Sequence, residues 1–255
     1  LEADALVLLS TGYTNSLCVT PALCRTSLPL VILNTQEAAA VTTQFRFEDL
    51  LYSHGMQGVQ DITAVLVREG RPFFIVTGRL ADAETRAEML DYLAACRARA
   101  QVRGRRIACL TPPQWGMGDG LVEPERLKAA WGIEVAELPC SELAELAEAA
   151  SVEEVAEARQ FDEAHFELPE TLSREDHDRS LRLEVGMRQL VERHGLAGLT
   201  FSFDHIARVP GVETIPFLGI TKLMGDGLAY GGEGDLLVTA WTAITHCLAA
   251  PVSFT

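Results

Sequence analysis

The sequence has no pair of cysteines at metal-site or redox-site spacing. Its six cysteines, Cys18, Cys24, Cys96, Cys109, Cys140 and Cys247, form no C-x-x-C pair. Most sit in apolar stretches such as 107–110, where a free thiol behaves as a small hydrophobe. A chain of 255 residues without a cysteine framework reads as reduced and intracellular. There is no apolar run of the ~18–20 residues that a membrane span needs. The longest, 236–250, is broken by Thr239, Thr242, Thr245 and His246. No signal-peptide pattern is visible, so the expected location is the cytoplasm. Basic residues are few, 21 Lys and Arg against 36 Asp and Glu, for a formal charge of −15. That surface repels phosphate backbones and anionic lipid, which argues against nucleic acid and membrane as partners. Internal repeats and low-complexity tracts are also missing.

What is present is an ordinary globular composition, 48% hydrophobic and 22% charged, enough for one large domain or two modest ones. Short apolar runs predict strands over 5–9, 30–33, 73–76, 107–110, 133–138 and 199–203. Several are apolar at nearly every position, the pattern of strands buried on both faces. Helical patterns lie between them. One covers 82–101 with Asp82 as its N-cap; Ser151 and Glu154 fit a capping box; Ser173 should cap a long helix that stops at Gly195. The Glu/Ala-rich stretch 141–159 reads as a solvated helical face. The expected class is α/β, with mostly parallel sheets and flanking helices in Rossmann-like layers. A boundary near Gly104 predicts an N-terminal α/β domain over 1–103 and a central α/β domain over 104–255.

Open parallel sheets bind ligands beyond the carboxyl ends of their strands. The residues there are Asn34-Thr35-Gln36, the loop Thr111-Pro112-Pro113-Gln114-Trp115-Gly116-Met117-Gly118-Asp119, and Asp204-His205. A second helix is expected from Pro216 to Met224, then a glycine-rich loop over 225–235, then an apolar helix. The five glycines permit close backbone approach. Without a G-x-x-x-x-G-K-[ST] pattern, and with no Lys or Arg inside it, the loop is a poor phosphate cradle. Glu233 falls near the start of the last helix, where the helix dipole favours an ionised carboxylate. Such a carboxylate suits a hard divalent cation. On spacing alone, Glu233 and Asp235 serve equally well as helix caps.

Two blocks carry a resemblance. Leu183-Glu184-Val185-Gly186-Met187-Arg188-Gln189-Leu190 leads to Gly198-Leu199-Thr200-Phe201-Ser202-Phe203-Asp204. Ile215-Pro216 and Leu223-Met224-Gly225-Asp226-Gly227 then lead to Gly232-Glu233-Gly234-Asp235. In this order and separation they resemble the L-fucose/L-arabinose isomerase-like sugar isomerases, L-arabinose isomerases above all. Thr35-Gln36, Ser53-His54-Gly55 and Val76-Thr77-Gly78 resemble elements of that family's N-terminal domain.

The resemblance implies an aldose–ketose isomerase acting on a pentose or 6-deoxyhexose through an ene-diol. The implied ion is Mn²⁺, with Co²⁺ or Mg²⁺ as substitutes. Glu233 and Asp204 would bind the metal and move protons. Gln36, His54 and Met117 would touch the sugar, the first two from a neighbouring subunit, so the implied assembly is a trimer or hexamer. This chain departs from the family at Asp204, where Glu is usual, and in a longer stretch from 204 to 216, which leaves His205 as an alternative ligand. The family's two histidine ligands are expected in a third, C-terminal domain outside this chain, and the first strand or strands of the N-terminal domain are expected to be missing as well. His246 reads as an ordinary helix residue. The competing readings are a non-catalytic sugar-binding or regulatory homologue and an unrelated α/β enzyme.

Overall fold

The computed structural model describes residues 3–249 and 252. The chain divides between Ala100 and Gln101 into two compact units. The first runs β1 (Leu6–Leu9), α1 (Ser16–Arg25), β2 (Leu30–Asn34), α2 (Phe47–Tyr52), α3 (Gly55–Arg68), β3 (Phe74–Thr77) and α4 (Ala83–Val102), the last two residues of which belong to the second unit. Its three strands are parallel in the order β1-β2-β3. Side chains alternate across a strand, so β2 feeds two cores. Leu30 and Ile32 pack with Leu23 of α1 and Val59, Ile62 and Leu66 of α3. Val31 and Leu33 pack with Val76 and with Cys96 of α4.

The expectation of strands buried on both faces holds for β2 and fails for β1 and β3. Val7 and Leu9 are 42% and 47% exposed, Phe74 and Ile75 44% and 40%. The reason is topological. Among the described residues two of the three strands are edges, and the apolar runs that encode them look the same as the central one.

The second unit continues with β4 (Arg106–Cys109), α5 (Pro124–Trp131), β5 (Glu134–Glu137), α6 (Cys140–Ala149), α7 (Val152–His165), α8 (Arg174–His194), β6 (Leu196–Phe201), α9 (Phe203–Ile206), α10 (Phe217–Gly225), β7 (Ala229–Gly232) and α11 (Leu236–Leu248). Its strands are all parallel, in the order β5-β4-β6-β7. One face carries the main core, with Leu143, Leu183, Met187, Leu190 and Ile220 packed on Leu199, Phe201 and Tyr230. The other joins Ile107 and Ile133 to Val102, Leu127, Leu236 and Ala240. Each large side chain buried this way contributes about 1.5–3 kcal/mol. The helix ends follow the sequence. Ser151 and Glu154 form a reciprocal capping box, Ser173 accepts from Asp176 N, and Gly195 ends α8 in the left-handed conformation at φ 60°.

Three local expectations are corrected. β6 starts at Leu196 and ends at Phe201, so Asp204 lies in the helical turn α9 rather than at the strand exit itself. Pro216 is the N-cap of α10, not its first residue. The stretch 225–235 is not all loop, because Ala229–Gly232 is a buried strand paired with β6.

On the helical side a polar cluster interrupts the core. Lys222 Nζ of α10 lies 2.6 Å from Asp162 Oδ1 of α7 and 2.5 Å from Glu184 Oε2 of α8. His177 Nε2 closes on Asp162 Oδ2 at 2.8 Å, and the Phe161 ring sits 5.0 Å from the ammonium. All four ionisable side chains are buried. Among the described residues, no helix is long and apolar enough to cross a membrane.

Candidate functional site

The polar residues of the second unit gather where β4, β6 and β7 end. β4 hands over to Thr111, Pro112, Pro113 and Gln114. Leu110 N donates to Thr200 O at 3.0 Å, extending the sheet contact one residue past β4. The buried Thr111 hydroxyl then accepts from Ser202 N at 2.6 Å, which fixes the exit of β6 against the exit of β4. Ser202, also buried, is the N-cap position of α9.

Past this point the side chains form one chain of contacts. Gln114 Nε2 donates to Asp204 Oδ2 at 2.7 Å. Ser202 Oγ donates to Gln114 Oε1, and His205 Nδ1 lies 3.0 Å from Ser202 Oγ. Asp204 is exposed, Gln114 and His205 half-buried. A hydrogen bond to an ionised carboxylate is shorter and stronger than a neutral one, in keeping with the 2.7 Å contact.

Glu233 follows β7. Among the described residues it is the only one other than glycine with positive φ, at 63°. That conformation costs about 1–3 kcal/mol and persists only where the surroundings enforce it. Here they do. Gln114 N donates to Glu233 O at 2.8 Å. A Cβ on Gly234, itself at φ 82°, would stand 2.6 Å from Pro113 Cα, and one on Gly231 would stand 2.7 Å from Thr239 N. The loop is therefore pressed between 112–114 and the first turn of α11. Asp235 caps α11, accepting from Val238 N at 2.9 Å; Glu233 is not the cap. Burial pushes the Tyr230 phenol far above its usual pKa range, and the negative charge of Glu233 adds to the shift, so the hydroxyl stays protonated beside the site.

Asp204 and Glu233 thus leave neighbouring parallel strands, and Gln114 touches both, one through its side chain and the other through its backbone. Met117 is exposed in the same loop as Gln114. Gln36 and His54 belong to the first unit. Gln36 follows β2 and donates through Nε2 to Ala38 O at 2.9 Å; His54 precedes α3, its ring 5.2 Å from that of Tyr13. Asn34, also at the end of β2, has a buried Oδ1 without a hydrogen-bond partner. His246 faces backbone carbonyls with both ring nitrogens, Gly227 O at 3.0 Å and Val252 O at 2.8 Å. In kind, the Asp204 and Glu233 oxygens suit a hard divalent cation. In number they fall short of a full site, since no three His, Cys, Asp or Glu side chains converge to hold a metal ion among the described residues.

The sequence reading placed Gln114 in a loop beyond a strand and Ser202 in the block leading to Asp204, and gave neither a role. The signal was available, because both are polar residues directly beyond parallel strands, but their bonds join positions about 90 residues apart.

Known proteins resemble this chain over much of its length. The L-arabinose isomerase central domain matches residues 122–251, which contain β6, β7, Asp204 and Glu233. The L-arabinose isomerase of Nocardioides sp. is 25% identical over 217 residues, covering 81% of this chain and 42% of that protein. The one from Mycolicibacterium smegmatis is 25% identical over 227 residues, 83% of this chain and 43% of its own length. A shorter match to the L-arabinose isomerase of Vibrio parahaemolyticus reaches 36% over 63 residues, a quarter of this chain and 12% of that enzyme. The chain spans less than half the length of these relatives. With the central-domain match extending over half of its residues and enclosing both acidic strand exits, this chain belongs to the L-arabinose isomerase family.

Proposed function

We propose that this chain forms part of an aldose–ketose sugar isomerase, to which it contributes two carboxylates, Asp204 and Glu233. The observation that supports the reading most is Gln114, which ties the two strand exits together. The substrate class would be a pentose or a 6-deoxyhexose, interconverted through an ene-diol. Glu233 and Asp204 would hold a divalent ion, Mn²⁺ or in its place Co²⁺ or Mg²⁺, which supplies Lewis-acid polarisation of the substrate oxygens at C1 and C2. The carboxylates of this chain do the proton work. One within hydrogen-bond reach of the substrate takes the proton alpha to the carbonyl and returns it to the neighbouring carbon. Met117 would face the sugar from the loop beyond β4. Gln36 and His54 would reach the site of a neighbouring copy in a trimer or hexamer, with residues 1–103 and 104–255 as separate domains. The protein would work in the cytoplasm.

The test is an aldose-to-ketose assay on the full-length gene product with a panel of pentoses and 6-deoxyhexoses, with and without Mn²⁺. Metal-dependent ketose formation, abolished by Glu233→Gln with the melting temperature nearly unchanged, is the expected outcome. A folded, metal-loaded protein that turns over no sugar would instead make this a binding homologue.

A further inference from the structure

We propose that Gln114 and Ser202 are the positioning residues of the acidic site: Gln114 holds the Asp204 carboxylate and, through Ser202, keeps the His205 ring in the form whose Nε2 lone pair is free. The argument is one of hydrogen-bond direction. At neutral pH a carboxylate only accepts, so the end of the Gln114 amide that faces Asp204 Oδ2 at 2.7 Å is its NH₂. The carbonyl end is then turned to Ser202 Oγ, which must donate its single proton to it. With that proton committed, Ser202 Oγ can only accept from His205 Nδ1, 3.0 Å away. A neutral imidazole carries one proton, and here it sits on Nδ1. Nε2 is left bare, with no hydrogen-bond partner among the described residues. The tautomer is the opposite of the one a free histidine side chain favours.

The supports of this relay are rigid. Ser202 is fully buried, and its amide is bound to Thr111. The backbone of Gln114 is pinned to Glu233 O. The consequence is a basic nitrogen and an oriented carboxylate on one helical turn, the first as proton acceptor or ligand atom, the second with Oδ1 left for a ligand. Partners of this kind orient metal-binding side chains and tune their basicity.

The ring part of the inference stands on the geometry alone; the metal part rests on the isomerase reading, and the experiment separates them. In full-length protein labelled with ¹⁵N-histidine, solid-state NMR in alkaline buffer should find His205, assigned with His205→Gln, protonated on Nδ1. Gln114→Leu, which does not touch the ring, should move the proton to Nε2, because Ser202 is then free to donate. Ser202→Ala should do the same and serves as the second variant if Gln114→Leu fails to fold. A wild-type ring protonated on Nε2, or a pattern that neither variant alters, overturns the relay. Calorimetric titration with Mn²⁺ should find affinity about 10–100-fold weaker in Gln114→Leu than in wild type. Equal affinities overturn the positioning of Asp204. A wild-type protein that takes up no Mn²⁺ removes the metal reading, while the NMR result still decides the relay.

Discussion

The second unit holds two polar clusters that use similar side chains to opposite ends. The Lys222 cluster lies between helices. Its ammonium, two carboxylates and imidazole are all buried, and each meets another member of the set. The Asp204 cluster lies beyond the strands. It begins in buried Thr111 and Ser202 and ends in an exposed carboxylate and a half-buried imidazole. The closed cluster pairs its charges internally and shuts them away from solvent, although Glu184 Oε2 faces the ammonium without a hydrogen bond. The open one delivers two groups, fixed from behind, to the edge where ligands of parallel sheets bind. The two clusters therefore differ in access to solvent: the ionisable groups of the first are buried against one another, and those of the candidate site stay open.

The largest effect that would test this contrast is on stability. Lys222→Met removes the cation that Asp162 shares with Glu184. Breaking a buried pair from one side costs about 3–5 kcal/mol, since the stranded carboxylates remain desolvated. Urea denaturation should report that loss, and Mn²⁺ affinity of the protein that remains folded should match wild type. A variant as stable as wild type would mean that water or the half-exposed Arg188, which also binds Glu184, takes over the role of the ammonium.

How far these clusters could be read from sequence depends on what fixes each residue. Ser151, Ser173 and Gly195 were legible because a cap acts within one turn of its helix. β7 was not, since Ala-Tyr-Gly-Gly has little strand propensity and becomes a strand by pairing with β6. Its glycines, which suggested a loop, are what allow α11 to pack against it: a Cβ at Gly231 would collide with Thr239. Asp204 and Glu233 were singled out through a family resemblance, the first also as a residue beyond a strand and the second as one near a helix start. Gln114 and Ser202 lay within the stretches so read, but their partnership did not show, because neither a local pattern nor a helix period connects positions so far apart in the chain. Lys222 carried no signal of its own in the sequence, and only the packing of α7, α8 and α10 gives it partners.

The open cluster carries a smaller energetic signature of its own. Glu233 holds φ 63° without being glycine. If the strain is kept for the carboxylate, Glu233→Gly should raise stability by about 1 kcal/mol, the cost of the left-handed conformation for a residue with a Cβ. The same variant should lose turnover in the aldose assay. Stability rising as activity falls would mark the residue as kept for its chemistry. A drop in stability instead would mean that the Glu233 side chain contributes packing the loop needs, and would weaken the contrast with the closed cluster.

The smallest effect is expected where a polar group is neither closed in nor set at a site. Glu142 Oε1 accepts from His194 Nε2 at 2.9 Å and Arg193 Nη1 at 3.0 Å near the surface of the second unit. The hydrogen bond from His194 is the main reason its pKa falls below the usual carboxylate value of 4.5, with Arg193 helping and partial burial opposing. A carboxylate whose pKa is lower folded than unfolded stabilises the fold above its unfolded value. That contribution disappears as the pH falls through the folded value. Glu142→Gln should therefore cost under about 1 kcal/mol at neutral pH, the range of solvent-screened pairs. The gap from wild type should close in acid, below the usual carboxylate range. Melting curves from neutral to acid pH would measure it. A gap as large as that of Lys222→Met would show that partial exposure does not screen this group, and that burial alone does not separate the clusters energetically.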